Sequence, residues 1–192
     1  MNKCFGDKVE IDKNYNRIRV HDIDKDQTGW TAFCEAIKDS KSMKTLVLSD
    51  IRIGPMGLTT VASVMSDIPA VTEVNLSMNK CFDADSAKAF SDAVLKSNVK
   101  TLTFGLKTAF TVLIGVNSEK TTLDYSNQDF GPGELMLISS LVIPFSPALS
   151  EVNLSVNPKI GSVSGLMDKR DTSQVIASAQ AVKPGVYPQG SY

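Results

Sequence analysis

A lone histidine, His21, follows Arg17 and Arg19 at alternate positions, and Ser49 and Asp50 lie 28 and 29 residues further along. Histidine, carboxylate and hydroxyl are the parts of a nucleophilic triad. A triad hydrolase of the common strand–turn–helix kind also presents its serine on a G-x-S-x-G elbow, and none occurs here. The trio therefore reads as exposed polar residues. Carboxylates alternate at Asp22, Asp24 and Asp26, as in the first half of a calcium loop. Gln27 then stands where such a loop needs Gly, and Phe33 where it needs a bidentate Glu. The stretch reads instead as a loop into a helix, with Asp26 or Thr28 as N-cap. Cys4, Cys34 and Cys81 match no zinc spacing. The turns Gly54-Pro55-Met56-Gly57 and Gly131-Pro132-Gly133 lack the Gly-Lys-Ser/Thr end of a phosphate loop and read as helix starts. No catalytic, metal or cofactor constellation emerges, so the expected function is non-enzymatic.

The elements that carry these residues recur. Val71–Asn79 reads VTEVNLSMN, and Leu149–Asn157 reads LSEVNLSVN, sharing the run Glu-Val-Asn-Leu-Ser and the closing Asn. Looser copies are MKTLVLSDI, from Met43, and VKTLTF, from Val99. Each copy holds two apolar residues flanking one exposed position: Ile18/Val20, Leu46/Leu48, Val74/Leu76, Leu102/Phe104, Leu123/Tyr125 and Val152/Leu154. The first members are 28, 28, 28, 21 and 29 residues apart. Apolar residues at i and i+2 predict a short strand with one buried face. Between strands the period becomes helical, as at Trp30/Phe33/Ala36/Ile37, Leu58/Val61/Ala62/Met65 and Ala87/Phe90/Ala93/Val94. Each unit is strand, loop, helix, turn. One unit cannot close a core, but stacked units can share one.

The motif V-x-x-V-x-L-x-x-N, carried by Val71, Val74, Leu76, Asn79 and Phe82 and again by Leu149, Val152, Leu154, Asn157, Ile160 and Gly161, resembles the leucine-rich repeat in its longer, ribonuclease-inhibitor-like form. The resemblance spans residues 18–165. It implies an α/β solenoid with a curved parallel sheet inside and helices outside. Ile51 and Gln128 replace the expected Asn, so its side-chain ladder is predicted to be incomplete. The 21-residue interval departs from the period. Its alternating residues predict a strand, a turn at Gly105–Lys107 and a second strand over Ala109–Ile114. The combination of hairpin and repeat is loosely similar to leucine-rich-repeat proteins of algae and other protists.

The predicted organisation is one domain, 1–182, with an N-terminal cap (1–17), a hairpin insertion (103–122) and a C-terminal cap (166–182). An extended tail, 183–192, carries Tyr187 and Tyr192. The pentapeptide MNKCF occurs at Met1 and again at Met78. Either the chain is part of a longer array, or an N-terminal cap repeats the pentapeptide by chance. Net charge is -1, without the clustered basic excess of a nucleic-acid surface. No apolar run has the length of a transmembrane helix. The odd cysteine count and an N-terminus without a secretory pattern point to a reducing, intracellular compartment.

The exposed strand positions are Arg19, Val47, Asn75, Thr103, Asp124 and Asn153. Arg17, His21, Thr45, Ser49, Glu73, Ser77, Thr122, Ser126, Glu151 and Ser155 flank them. With stacked strands about 4.8 Å apart they would form one continuous patch. The partner-binding residues expected from this reading are Arg17, Arg19, His21, Glu73, Asn75, Asp124 and Asn153, with Tyr187 and Tyr192 of the tail. The expected function is a protein-interaction or scaffold module, an accessory subunit of a larger assembly. The alternative that the resemblance implies is a regulator of a small GTPase or of actin filament ends.

Overall fold

The computed structural model describes residues 8–12, 17–21, 26–79 and 82–160, the first two segments by their backbone path. The elements alternate strongly. A hairpin, β1 (Lys8–Asp12) and β2 (Arg17–His21), is followed by α1 (Thr28–Lys38), β3 (Thr45–Val47), α2 (Pro55–Val64) and β4 (Glu73–Asn75). Then come α3 (Ala84–Leu95), β5 (Thr101–Phe104), β6 (Phe110–Leu113), β7 (Thr122–Asp124), α4 (Pro132–Leu141) and β8 (Glu151–Asn153). The result is a mixed α/β fold with parallel strands and a row of helices.

The register shows the repeat directly. Thr45 pairs with Glu73 and Glu73 with Thr101; Leu46, Val74 and Leu102 line up in the same way. Each partner is one 28-residue interval from the next. β7 and β8 pair in parallel one interval of 29 apart, with Leu123 opposite Val152. Leu46, Leu48, Val74, Leu76, Leu102 and Phe104 are all buried, as strands with one inward face require. The helices pack in sequence, α1 on α2, α2 on α3 and α3 on α4. Leu58, Val61, Phe90, Val94, Leu137 and Ile138 fill the space between strands and helices. Burying each large side chain contributes roughly 1.5–3 kcal/mol.

Helix starts follow the sequence. Gly54 and Gly131 precede prolines at the first turn of α2 and α4. Asp83 caps α3, its carboxylate accepting from the Ser86 amide at 2.8 Å. Asp26 accepts from the Thr28 amide at 2.9 Å at the start of α1. That bond holds the Asp26 carboxyl below its ordinary pKa. On α1 the buried stripe is Trp30, Cys34 and Ile37. Phe33, expected on that stripe, is displaced outward and stacks on Trp30, the ring centroids 5.3 Å apart.

The strand layer departs from the expected single sheet. Among the described residues the strands form three: β1–β2, β3–β4–β5–β6 and β7–β8. β2 pairs antiparallel with β1, Ile18 opposite Ile11, and shares no ladder with β3. β6 turns back antiparallel on β5, with Phe110 opposite Phe104. It takes the edge that β7 would otherwise occupy. The physical reason is the short 21-residue interval. It has no room for a helix, and its alternating Phe110, Val112 and Ile114 pack against the core from a strand.

Leaving β3, β4, β7 and β8, the backbone passes through the left-handed region at one repeating position: Asp50, Met78, Asn127 and Val156. Asp and Asn tolerate this conformation, whereas a β-branched residue does not. Val156 has φ 59° and is 69% exposed, so little packing offsets the strain. Val156→Asn is expected to raise stability by about 1 kcal/mol in urea unfolding.

Candidate functional site

The motif asparagines are structural. Asn79 is buried; its Nδ2 donates to the carbonyls of Leu48 (2.7 Å), Leu76 (2.9 Å) and Ser77 (3.4 Å), and its Oδ1 accepts from the Ile53 amide (3.2 Å). One amide thus ties its own turn to the preceding repeat. Asn157 does the same between β8 and β7, bonding to the Tyr125, Leu154 and Ser155 carbonyls and accepting from the Gln128 and Phe130 amides. Gln128, which replaces the motif Asn, keeps part of this role. Its Nε2 donates to Ser126 O at 3.0 Å, and its Oε1 accepts from the Thr108 amide at 3.1 Å. The longer side chain spans to the hairpin turn, where the array is interrupted. Ile51 is half-buried against the core instead.

The predicted binding residues fall into four groups. Asn75, Asp124 and Asn153 each accept, through Oδ1, the amide two residues on: Ser77 at 2.9 Å, Ser126 at 2.9 Å and Ser155 at 3.1 Å. Each forms an Asx turn that ends its strand. The signal was present as Asn/Asp-x-Ser at three strand ends. The same bonding holds the exposed Asp124 carboxyl below its ordinary pKa. Glu73 is exposed on the strand face and accepts from the Thr45 hydroxyl at 3.2 Å. Ser77, expected to point outward, is buried.

Arg17, Arg19 and His21 lie on β2, in register with Asp12, Glu10 and Lys8 of β1. No ladder carries this row onto β3 among the described residues, so the continuous patch expected from stacking is corrected to separate rows. Tyr187 and Tyr192 of the tail, and the C-terminal cap over 166–182, lie outside the described residues.

What the strand face presents is mostly small and polar: Thr45, Glu73, Thr101, Thr103, Thr111, Thr122 and Glu151, with Val47 (59% exposed) and Leu113 (57%) as apolar exceptions. Thr103 and Thr111 share a hydroxyl–hydroxyl bond of 3.0 Å across the β5–β6 pair. Between β6 and β7 the face is cleft. A hollow of about 420 Å³ is lined by β6, β7, the connecting loop and the end of α4. An aromatic cluster closes one end: Phe110 meets Tyr125 edge-on at 4.9 Å, and Phe104 and Phe130 pack on both. Burial there pushes the Tyr125 phenol up to about 12.

No constellation of His, Cys, Asp and Glu that could hold a metal ion occurs among the described residues. Cys34 is fully buried, and burial, then the Glu35 charge, pushes its thiol up to about 11, leaving it an inert core residue. Glu134 is the buried carboxylate of the described residues, 3% exposed, accepting from the Gly131 amide at 2.8 Å at the start of α4. Burial raises its pKa above the ordinary 4.5, partly offset by that bond and by Lys159. A raised carboxyl pKa favours folding below the unfolded value and withdraws that stability as pH rises through the folded one. Glu134→Gln keeps an acceptor for Gly131 and removes the buried charge. Relative to the parent, it is expected to gain stability between about pH 4 and pH 7, measured by urea unfolding.

Among solved structures, one partial match is reported. It is titled Leiomodin-1 Actin-Binding Site 2, and the match has 17% identity and a TM-score of 0.40. The match covers 67% of this chain and 63% of that one, so this chain spans less than two thirds of its neighbour. No family model matches the sequence. No curated protein matches it either. No helix of the described residues is long and apolar enough to cross a membrane.

Proposed function

We propose that the chain is a leucine-rich-repeat-type solenoid acting as a non-enzymatic protein-docking module. The observation that carries this reading is the in-register stack of strands at 28-residue intervals, tied by buried Asn79, with an open polar strand face. Repeat stacking offers surface without requiring chemistry.

We further propose that the N-terminal hairpin stacks on the array, although β2 and β3 share no ladder among the described residues. Continuing the 28-residue spacing would set Arg17, Ile18 and Arg19 opposite Thr45, Leu46 and Val47. A parallel neighbour lies within disulfide reach, at a strand spacing of about 4.8 Å. The double variant Arg19→Cys/Val47→Cys is expected to oxidise to a single intramolecular disulfide, located by peptide mass spectrometry. Failure of that bond to form, while both thiols react with a soluble reagent, would remove the hairpin from the array.

The function is tested by recovering complexes from the native source with the parent chain and with Val47→Glu/Thr103→Glu. Both positions face solvent or nearly so, and neither holds a turn. The expected result is a reproducible partner set that the variant loses. Equal recovery by both chains would move binding off the strand face. Altered GTP hydrolysis or filament growth on adding the purified protein would favour the alternative, a regulator of a small GTPase or of actin ends.

A further inference from the structure

The hollow between β6 and β7 is bounded by two strand edges that face each other. The Ile114 amide donates to Lys100 O at 2.8 Å, and Phe110 and Val112 oppose Phe104 and Leu102. Antiparallel pairs alternate, so the main-chain groups of Phe110, Val112 and Ile114 face β5. Those of Thr111 and Leu113 face the other way. Across the hollow, Thr121 O accepts from the Ser150 and Glu151 amides, and the Tyr125 amide donates to Asn153 O. The groups of Thr122 and Asp124 therefore face away from β8. No ladder joins β6 to β7 among the described residues.

The walls thus offer main-chain donors and acceptors, while the floor is apolar: Leu141, Val142 and Phe145 at the end of α4 and the turn after it. The Phe110–Tyr125 contact closes one end. The loop from β6 to β7 closes the other, anchored where the Ser118 amide donates to Phe145 O at 2.6 Å. The opening is therefore on the strand face, with Leu113 and Val116, each more than half exposed, on its lining. Its volume, about 420 Å³, lies within the roughly 300–1,000 Å³ of ligand pockets.

We propose that this cleft is a peptide-docking site, taking an extended segment of a protein partner. The segment seats one large apolar side chain on the floor and bonds its main chain to the free edge of β6. Edge groups at strand spacing favour an extended main chain, and the apolar floor favours a bulky side chain beside it. The inference deepens the protein-docking reading and rests on it.

The test is a nitrogen-15 NMR titration of the full chain with acetylated, amidated pentapeptides Thr-Val-X-Val-Thr, where X is Ala or Trp. The expected result is that the amides of Thr111, Leu113, Thr122 and Asp124 shift. The Trp peptide should bind about tenfold or more tightly than the Ala peptide. Thr122→Trp, an exposed strand substitution that fills the mouth, should weaken binding of the Trp peptide by a similar factor. The proposal is overturned if neither peptide shifts these amides, or if both bind alike. It is equally overturned if N-acetyl-tryptophanamide matches the Trp peptide, which marks a small-molecule pocket, or if the amides shift on concentrating the protein alone, which marks self-association. Failure here with partner recovery still lost in Val47→Glu/Thr103→Glu removes the cleft and leaves the docking reading standing.

Discussion

Asn79→Ala is expected to destabilise the protein by about 3–4 kcal/mol, lowering its melting temperature by roughly 6–15 °C. The side chain serves four main-chain groups in a buried site, on both its own turn and the preceding repeat. Alanine leaves the carbonyls of Leu48 and Leu76 and the Ile53 amide without this partner. Each buried group stranded in this way costs roughly 1–3 kcal/mol, and the total is limited by local relaxation and water entry. Asn79→Asp separates the two halves of the role. It keeps an acceptor for Ile53 but points a carboxylate at carbonyl oxygens, so it should be no better than alanine near neutral pH. Urea unfolding decides both. A loss under about 1 kcal/mol for Asn79→Ala would show that the side chain does not join the repeats energetically.

Gly105→Ala is expected to cost about 3–5 kcal/mol and to disrupt the β5–β6 hairpin first. Gly105 has φ 118°, a conformation closed to other residues, and a Cβ there would overlap the carbonyl of Thr108 and approach the Phe110 ring at 3.0 Å. Its own carbonyl accepts the Met78 amide at 2.7 Å, so the hairpin turn cannot move without loosening the turn that leaves β4. Gly115 provides the control. It also has positive φ, 71°, but a Cβ would meet nothing within 4 Å. Gly115→Ala should cost only the backbone term, about 1–2 kcal/mol. Equal losses at the two sites would mean that conformation alone, not the close approach to Thr108 and Phe110, sets the hairpin turn. Hydrogen exchange at Val112 and Ile114 would show the hairpin opening in Gly105→Ala.

The parts of the fold that repeat were legible because one physical demand recurs at each interval. Leu46, Val74 and Leu102 must all face the same core, so their spacing reports the register that the strands adopt. Pro55 and Pro132 marked helix starts for the same reason, since first-turn geometry is local. Readings that needed a long-range partner fared differently. Alternation located the β5–β6 hairpin, but not that β6 would stand between β5 and β7 and divide the sheet. Helical spacing placed Trp30 and Ile37 on the buried stripe of α1 but also admitted Phe33 and Ala36, which are exposed, while Cys34 completes the stripe. Asn75, Asp124 and Asn153 were read by exposure alone as surface for a partner. Their Oδ1 atoms hold the amide two residues ahead, a local role that Asn/Asp-x-Ser encodes and that hydropathy periodicity passes over. The cleft itself has no signature in a linear pattern, because it exists only where two edges fail to pair.

Site-specific photo-crosslinking tests the central claim most directly. Benzophenone side chains would be placed one at a time at Val47, Thr103 and Glu151 on the strand face, and at Lys88 and Ser63 on the helices, and irradiated with the native partners present. All five positions are solvent-exposed or nearly so and carry no core packing. A strand-face docking module gives discrete crosslinked products from the first three positions and none from the helical pair. Products from Lys88 and Ser63 with none from the strand face would contradict the account and place the working surface on the helices.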